Sequence, residues 1–348
     1  MTAERNALDE APEAVSTPRL DPIFVAGPDR SGTTLMYTLL ASHPEISMVR
    51  RTNLWRYFYR RYGDLSEPEN FERCLDEMLR YRRMRHLDPD EDRIRREFSA
   101  GESTYGRLFA LLHGHNAERQ GRARWGDKSL HTELFARGIF LEYPEGRVIH
   151  MVRDPRDRYA SVSRRNGGHL DRVGAATGRW LLSARAARRN AAAYPDRYLR
   201  VRFEDLVAEP REVMEQVCQF VGVDFIPSMM EMGAVPDLRD RGGNSSFGDG
   251  APGTISRNPV GRYRDVLDPT DIAFIQQVAG REMDRQGYTR QGIDGLPRVR
   301  YAIRTFPRHL LRMAGWIVKL RLRIWRGIRV PDRRLDPSGT SRGGEAHD

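Results

Sequence analysis

A glycine-rich loop near the beginning of the chain has the residue types of an anion site. Residues 27–34, GPDRSGTT, follow a short apolar run and precede a helical pattern. In that setting successive backbone N–H groups and the positive end of the helix dipole point at one place. The spacing matches the G-x-x-x-x-G of ATP-binding loops, but Thr33 stands where their phosphate-binding lysine belongs. The loop therefore predicts a phosphate site and argues against an ATPase or a kinase.

Three further hydrogen-bond donors have the spacing needed to meet at one phosphate. Arg153 directly follows the apolar run 147–152, and Ser161 and Arg165 lie four residues apart in the helical pattern beyond it. Residues four apart share one face of a helix, and arginine forms charge-assisted hydrogen bonds with phosphate. The spacing predicts a second phosphate site.

These residues need a frame of strands and helices to position them. Apolar runs that predict buried strands occur at residues 22–26, 123–126, 147–152 and 198–202. Helical patterns occur at about residues 33–40, 132–142, 171–193 and 210–221. This alternation predicts an α/β fold, a P-loop-like three-layer domain with a central parallel sheet. Residues 50–117 are predicted to form an inserted helical cap.

Both phosphate motifs resemble blocks of one enzyme family. The stretch RSGTTLM followed by HPE is similar to the 5'-phosphosulfate loop of sulfotransferases that use 3'-phosphoadenylyl sulfate (PAPS), especially the tyrosylprotein and bacterial branches. Residues 152–157 resemble the 3'-phosphate block of that family. Its lysine block, strand-turn block and late cofactor loop are resembled by residues 126–128, 202–206 and 255–264. The resemblance spans about residues 22–288.

The resemblance implies PAPS as the sulfuryl donor, and it assigns roles to residues. The residues assigned to the donor are Arg30, Ser31, Gly32, Thr33 and Thr34 for the 5'-phosphate, Arg153, Ser161 and Arg165 for the 3'-phosphate, and Arg257 in the late loop. Sulfuryl transfer needs an in-line acceptor oxygen, a base for its proton, and positive charge at the leaving oxygen. Lys128 is predicted to supply that charge, because a compact ammonium enters a tight site that excludes a guanidinium. No metal ion is expected.

At the general base the sequence departs from the family pattern. Tyrosylprotein sulfotransferases have a glutamate in a GEET stretch after the HP element, whereas residues 49–52 are VRRT. His131, three residues after Lys128, is the predicted base because its pKa is suitable, and Asp127 and Glu102 are the alternatives. The expected acceptor is a hydroxyl on a glycan, a lipid or another small molecule rather than on a protein tyrosine.

Two other functions remain open from the sequence. A protein that binds PAPS or another anion without turnover would account for the missing glutamate. A P-loop kinase fits less well, because the loop lacks its lysine and no obvious magnesium-binding carboxylate follows. PAPS binding without product would favour the first function, and dependence on ATP and magnesium would favour the second.

Positive charge is concentrated near the end of the chain. The 348 residues have a formal net charge of +10, and residues 298–334 alone hold twelve Lys or Arg against one acid, Asp332. The rest of the chain is nearly neutral, so a nucleic-acid-binding face is not expected. Spacings of three and four residues predict a basic amphipathic helix over 298–334, with an apolar face formed by Ile303, Phe306, Leu310, Met313, Ile317, Leu320, Ile324 and Ile328. Such a helix suits an anionic membrane surface, the domain itself or a second subunit.

The composition of the remaining segments predicts how the chain is divided. Residues 1–20 are predicted to be a disordered leader without the apolar run of a signal peptide, residues 21–290 the sulfotransferase domain, and residues 335–348 a disordered tail. Cys74 and Cys218 are predicted to be reduced core residues. The expected location is the cytoplasm, with the basic helix as an attachment to the membrane periphery.

Overall fold

The structure is a computed structural model that describes residues 19–165, 173–232 and 255–325. Several sequence predictions concern residues outside these ranges. They are the leader before residue 19, the first two residues of the helix predicted over 171–193, and the end of the basic helix and the tail after residue 325. The side chains of residues 164, 165 and 323–325 also lie outside the description.

A parallel sheet forms the centre of the fold. Its strands are β1 (Ile23–Ala26), β2 (Ile46–Arg50), β3 (Arg124–Lys128), β4 (Arg147–Val152) and β5 (Tyr198–Arg202). In the described residues they form one five-stranded sheet in the order β2-β3-β1-β4-β5, and every neighbouring pair is parallel. The predicted α/β fold with a central parallel sheet is therefore confirmed. The carboxyl ends of β1, β3 and β4 lie side by side at one edge, where α/β proteins bind ligands.

The edge strand β2 was not predicted from the sequence. It is short, and its residues alternate between faces: Ile46 and Met48 join the core on one side of the sheet, and Val49 joins the core on the other. Its pairing with β3 continues to the last residue of each strand, where Arg50 is opposite Lys128. For this reason β3 ends two residues later than predicted. The helical cap was predicted to begin at residue 50, which is instead the last residue of β2.

A second correction concerns the chain after β3. The sequence predicted one helix over residues 132–142. The structure has a 3-10 turn at Thr132–Leu134, followed after Phe135 by α6 (Ala136–Glu142). The interruption leaves the residues directly after β3 in loop and 3-10 conformations at the functional edge of the sheet.

The segment predicted as a cap is largely helical. It contains α2 (Leu54–Tyr57), α3 (Pro68–Arg80), a 3-10 turn (Arg85–Leu87), α4 (Glu91–Ser99) and α5 (Tyr105–Arg119). Its aromatic side chains pack on the sheet: the ring of Trp55 lies 6.0 Å from Phe24 of β1 and 5.7 Å from Phe109 of α5. These aromatic residues are core, and burial of their apolar surface stabilises this layer. Cys74 is buried here as a free thiol, as predicted.

The remaining helices cover the other face and the end of the sheet. They are α1 (Thr33–Ala41), α7 (Pro155–Arg165), α8 (Val173–Ala193), α9 (Phe203–Ala208), α10 (Pro210–Val221), α11 (Tyr263–Val266) and α12 (Pro269–Arg285), with a 3-10 turn at Pro227–Glu231. Leu35 of α1 and Val217 of α10 pack with Val25 of β1 in one buried cluster. Cys218 lies in the same cluster, also as a free thiol. Helices therefore flank both faces, which completes the three layers.

The predicted basic helix docks on the domain. It consists of α13 (Arg298–Arg300), a π-helical turn (Tyr301–Thr305) and α14 (Phe306–Trp325), and α14 packs along α8. The contact is close: a Cβ at Gly174 of α8 would collide with the carbonyl oxygen of His309. Part of the predicted apolar face meets the domain, but Ile303 is 76% exposed and Leu310 is 41% exposed. Among the described helices, none is both long enough and apolar enough to cross a membrane.

Candidate active site

The loop between β1 and α1 is bent by residues with positive φ. Gly27 (φ 123°), Arg30 (φ 67°) and Gly32 (φ 87°) all have such conformations. A Cβ at Gly27 would lie 2.5 Å from the carbonyl oxygen of Met151, and a Cβ at Gly32 would lie 2.5 Å from the ring of Phe203. Both positions therefore require glycine. The bend brings the loop against the carboxyl ends of β4 and β5.

The amino end of α1 is open to a ligand. The helix starts at Thr33 and Thr34, no side chain caps it, and its first turn contains no acid. The N–H groups of that turn and the positive end of the helix dipole therefore attract an anion. Ser31 is fully buried, and its Oγ has no hydrogen-bond partner among the described residues. These donors together suit one phosphate group.

Two side chains of α7 hold the loop in place. Nε of Arg30 donates to Oγ of Ser161 at 2.9 Å. Arg158, only 1% exposed, donates to the carboxylate of Asp29 at 2.6 Å and to its carbonyl oxygen at 2.9 Å. Arg158 also donates to the carbonyl of Ala176 in α8. Arg158 was not predicted from the sequence, although its spacing of three residues from Ser161 places both on one face of α7.

Arg153 is buried beside the loop. Its Nη1 donates to the carbonyl oxygen of Arg30 at 2.9 Å, and its Nη2 donates to that of Pro259 at 2.8 Å. The guanidinium lies 4.5 Å from the ring centre of Phe203. Burial lowers the pKa of Arg153, and its Nε has no hydrogen-bond partner in the described part of the chain. Hydrogen bonds thus connect Arg153, Arg30 and Ser161 into one group.

The late cofactor loop is anchored to α7. The carboxylate of Asp157 accepts hydrogen bonds from the backbone N–H of Gly261 at 2.7 Å and of Tyr263 at 2.9 Å. Arg257 instead donates to carbonyl oxygens at the end of α9, and its side chain is 67% exposed. The structure therefore does not bring Arg257 to the phosphate loop, and its contact with the donor stays a prediction. That of Arg165 also stays a prediction, because its side chain lies outside the described residues.

Lys128, the last residue of β3, reaches across to α1. Its Nζ donates to Oγ1 of Thr34 at 3.4 Å. Burial, reinforced by the positive charges of Arg51 and Arg50, lowers the pKa of Lys128 to about 8. The ammonium is therefore mostly charged at neutral pH, and it stands at the open end of α1. The role of Lys128 at the leaving oxygen stays a prediction.

A cavity of about 410 Å³ opens beside His131. The backbone of His131 has a φ of 68°, which is strained for a residue with a Cβ. Burial, with the charges of Arg56 and Arg179, lowers the pKa of His131, although the Glu133 carboxylate opposes this effect. The imidazole is therefore neutral at pH 7 and is able to accept a proton.

The two alternative bases occupy different environments. Asp127 is buried, and its Oδ2 accepts hydrogen bonds from Thr52 at 2.9 Å and from Ser129 at 2.7 Å. Burial raises the pKa of Asp127 to about 6. Through these hydrogen bonds Asp127 holds the chain that follows β3 in place. Glu102 is exposed between α4 and α5, and no hydrogen bond joins it to the phosphate loop in the described residues.

Glu133 is a further carboxylate near the site, and it was not predicted from the sequence. It is 2% exposed and lines the cavity, two residues after His131. Its Oε2 has no hydrogen-bond partner among the described residues, whereas its backbone carbonyl accepts a hydrogen bond from Asn190 of α8. An unsatisfied buried oxygen costs free energy and marks a position with a possible chemical role. The only sequence signal was an acid in the loop that follows the lysine.

The donors fit a ligand with two phosphate groups. The amino end of α1 with Ser31 Oγ suits one phosphate, and the group around Arg153, with its open Nε, suits the other. In the ranges that the structure describes, no three His, Cys, Asp or Glu side chains are grouped so that they could hold a metal ion.

Comparison with known proteins is consistent with this geometry. A family model described as "Sulfotransferase family" matches residues 22–227. The sulfotransferase domain from the olefin synthase of Synechococcus PCC 7002 has a similar fold, with 23% identity, a TM-score of 0.52, and coverage of 78% of this chain and 96% of that chain. The sulfotransferase domain from the curacin biosynthetic pathway has 18% identity, a TM-score of 0.52, and coverage of 78% and 99%. No curated protein is similar to the chain at a significant level.

Proposed function

The chain belongs to the sulfotransferase family and is a sulfuryl-transfer enzyme, and we propose that it uses PAPS to sulfate a hydroxyl group of an acceptor bound in the cavity beside His131. The observation that carries this proposal is the meeting of three predicted elements at one edge of the sheet. The bent phosphate loop, Arg153 and Lys128 come from three different strand ends. The hydrogen bonds described above join them into one site.

The donor half of the site follows from charge and geometry. PAPS supplies a sulfuryl group attached to a phosphate that can leave. The amides of α1 and Oγ of Ser31 bind that phosphate, and Arg153, Arg30 and Ser161 bind the second one. Preorganised donors of this kind stabilise negative charge without having to reorganise during the reaction. Lys128, at the open end of α1, supplies the full positive charge where negative charge increases on the leaving oxygen.

The acceptor proton is taken by the group beside the cavity. His131 is neutral at pH 7 because burial lowers its pKa, so its imidazole is the base that we propose. Glu133 lies near His131 and its negative charge favours the protonated imidazole. Glu133 therefore stabilises the imidazolium that forms when the hydroxyl loses its proton. Asp127 holds the chain between them and Lys128 through Thr52 and Ser129.

Calorimetric titration with 3',5'-adenosine bisphosphate tests the donor site without knowledge of the acceptor. We expect metal-free binding that Arg30→Ala and Arg153→Ala each weaken about tenfold or more, because each removes charged donors from a phosphate. Arg211→Ala is the matched control, because this arginine is 71% exposed on α10 and pairs with Glu215. Binding of ATP with magnesium in place of the bisphosphate would support the kinase alternative. Binding without any transfer from labelled PAPS to a wide acceptor panel would support the non-catalytic alternative.

The base is tested by two substitutions, each of which replaces a titratable side chain with a neutral amide. We expect His131→Asn to lower kcat about a hundredfold or more, because general-base catalysis contributes factors of about 10² to 10⁴. Glu133→Gln should lower kcat less, because it removes only the charge that stabilises the imidazolium. Affinity for 3',5'-adenosine bisphosphate should stay unchanged in both variants. A larger loss in Glu133→Gln than in His131→Asn would identify Glu133 as the base instead.

We also propose that a cytoplasmic form of the enzyme attaches to an anionic membrane through the outward face of α14. Four leucine and valine side chains on this helix are at least 41% exposed: Leu310, Leu311, Val318 and Leu322. Residues 298–322 contain seven Lys or Arg and no acid. An exposed apolar strip flanked by cations is complementary to anionic headgroups above acyl chains.

Vesicle flotation tests the membrane proposal with the full chain. We expect binding to vesicles that contain phosphatidylglycerol, weaker binding to pure phosphatidylcholine, and loss of binding in the double variant Leu311→Glu with Val318→Glu. Leu141→Glu is the control, because Leu141 is 64% exposed on α6, outside the strip. Point variants are preferable to truncation, since removing α14 uncovers the face of α8 on which it packs. Equal flotation of all variants would exclude this face as the attachment.

A further inference from the structure

The lining of the cavity beside His131 comes from five segments of the chain. Three of them are the phosphate loop, α2, and the chain after β3, which includes Leu130 and His131. The other two, α8 and α14, form a second wall that includes Arg179, Trp316 and Lys319. The family match ends at residue 227, so α14 lies beyond the matched region. The α14 part of the second wall therefore lies beyond the part of the chain that identifies the family.

Close packing fixes the position of this second wall. Added Cβ atoms at Gly174 and Gly178 of α8 would meet α14: the first would collide with the carbonyl oxygen of His309, and the second would lie 3.1 Å from side-chain atoms of Trp316. The guanidinium of Arg179 lies 5.6 Å from the ring centre of Trp316. Trp316 is thus held between α8 and the cavity. A rigid aromatic wall of this kind binds apolar surface at low entropic cost.

The charge of the cavity is predominantly positive. Arg56, Arg179 and Lys319 line it. Of the acids in the lining, Asp29 forms an ion pair with the buried Arg158 at 2.6 Å, and Glu133 is buried next to His131. The sequence has only two lysines, Lys128 and Lys319: one lies at the phosphate loop and the other at this cavity. An occupant with negative charge is electrostatically favoured.

The rest of the lining is apolar, and the size is limited. Leu130, Leu182 and Leu320 accompany Trp316. A volume of about 410 Å³ is in the usual range for pockets that hold small molecules. It holds a chain or ring system together with one charged group, but not a large glycan or a folded protein.

We propose that α14 forms one wall of the acceptor site and that Trp316 and Lys319 select an amphiphilic small-molecule acceptor, with its hydroxyl at His131 and an anionic group beside Lys319. This inference rests on the proposed function, because it assigns the cavity to the acceptor. Trp316 and the leucines hold the hydrocarbon part, and Arg179 assists Lys319 with the negative charge. Trp316 and Lys319 are specificity-determining residues and take no part in proton transfer.

The test uses three matched probes on the full chain saturated with 3',5'-adenosine bisphosphate. The probes are 12-hydroxydodecanoate, its uncharged methyl ester, and the cationic 12-aminododecan-1-ol, with dissociation constants measured by calorimetry. We expect the carboxylate to bind about tenfold more tightly than the ester, and the amine to bind most weakly. Lys319→Glu should remove or reverse this order, whereas Trp316→Ala should weaken the carboxylate and the ester alike. Arg321→Glu is the control, because it makes the same charge change at an exposed site of α14 outside the cavity.

Each result decides the inference. It is overturned if the wild-type chain binds none of the probes, if the carboxylate has no advantage over the ester, or if Lys319→Glu and Arg321→Glu behave alike. The affinity for 3',5'-adenosine bisphosphate, measured first in every variant, separates this from a failure of the proposed function. A wild-type chain that does not bind the bisphosphate contradicts the proposed function. Normal bisphosphate binding with unselective probe binding contradicts only the acceptor assignment.

Discussion

The proposed donor half and the proposed acceptor half of the site are built in different ways. The donor half uses a continuous loop, an open helix end and buried arginines whose hydrogen bonds go to backbone carbonyls, such as those of Arg30 and Pro259. The acceptor half is a cavity whose walls come from five separate parts of the chain, one of them beyond the family match. This difference places part of the acceptor cavity outside the region that identifies the family. It also predicts that substitutions in the two halves have separable effects.

The largest expected effect is on catalysis and concerns Lys128. Lys128→Met should lower kcat about 10²- to 10³-fold, because it removes a preorganised charge at the leaving oxygen. Affinity for 3',5'-adenosine bisphosphate should fall much less. Single-turnover rates and calorimetry measure the two quantities separately. Lys128→Arg is the matched variant: recovery of most of the rate would contradict the argument that the site needs a compact ammonium.

A smaller effect is expected on stability, where a buried arginine of the donor half should contribute more than an exposed arginine elsewhere. Arg158→Ala should lower the free energy of unfolding by about 2–3 kcal/mol, because it leaves the carboxylate and carbonyl of Asp29 without their partner. Arg211→Ala, which breaks an exposed pair with Glu215, should change it by less than about 1 kcal/mol. Urea unfolding measures both. Equal effects would show that the hydrogen bonds from Arg158 to Asp29 do not stabilise the fold.

The docking of α14 gives a third test, on the acceptor side. Gly174→Ala should lower the free energy of unfolding by about 1–3 kcal/mol, because the new methyl group collides with the backbone at His309. Gly315→Ala has open space around it and should be neutral or stabilising by up to about 1 kcal/mol, because alanine favours the helix.

If the two halves are separate, Gly174→Ala should also affect ligand binding selectively. It should weaken binding of hydroxylated amphiphiles while leaving the affinity for 3',5'-adenosine bisphosphate unchanged. A parallel loss of both affinities would break the comparison, because it would show that α14 also supports the donor half.

The smallest expected effect is the pH dependence of kcat/KM. His131 must be neutral, so kcat/KM should rise as pH increases through its pKa, which burial lowers from the ordinary histidine value. Lys128 must be charged, so kcat/KM should fall as pH rises through about 8, by up to about tenfold per pH unit. Lys128→Arg should move the alkaline fall to higher pH and leave the acid limb in place. An unchanged alkaline limb in that variant would assign it to another group.

Much of the donor half was predictable because its signals are local. A loop of fixed spacing, an arginine at a strand end and a lone lysine each identify themselves within a few residues, and the periodicity of strands and helices predicts the parallel sheet. The parallel sheet then requires that these strand ends meet. The structure confirms the fold and brings Arg30, Arg153 and Lys128 to one edge of it.

The acceptor half was not predictable, because it depends on contacts between distant segments. The strand β2 exists because it pairs with β3. The left-handed backbone of His131 and the burial of Glu133 likewise depend on how the folded chain packs around them. The sequence determined that the chain has a basic amphipathic helix. Only the tertiary structure decided which face of α14 meets Gly174, because helix periodicity specifies an apolar side but not the surface that covers it. That choice placed Lys319 at the cavity.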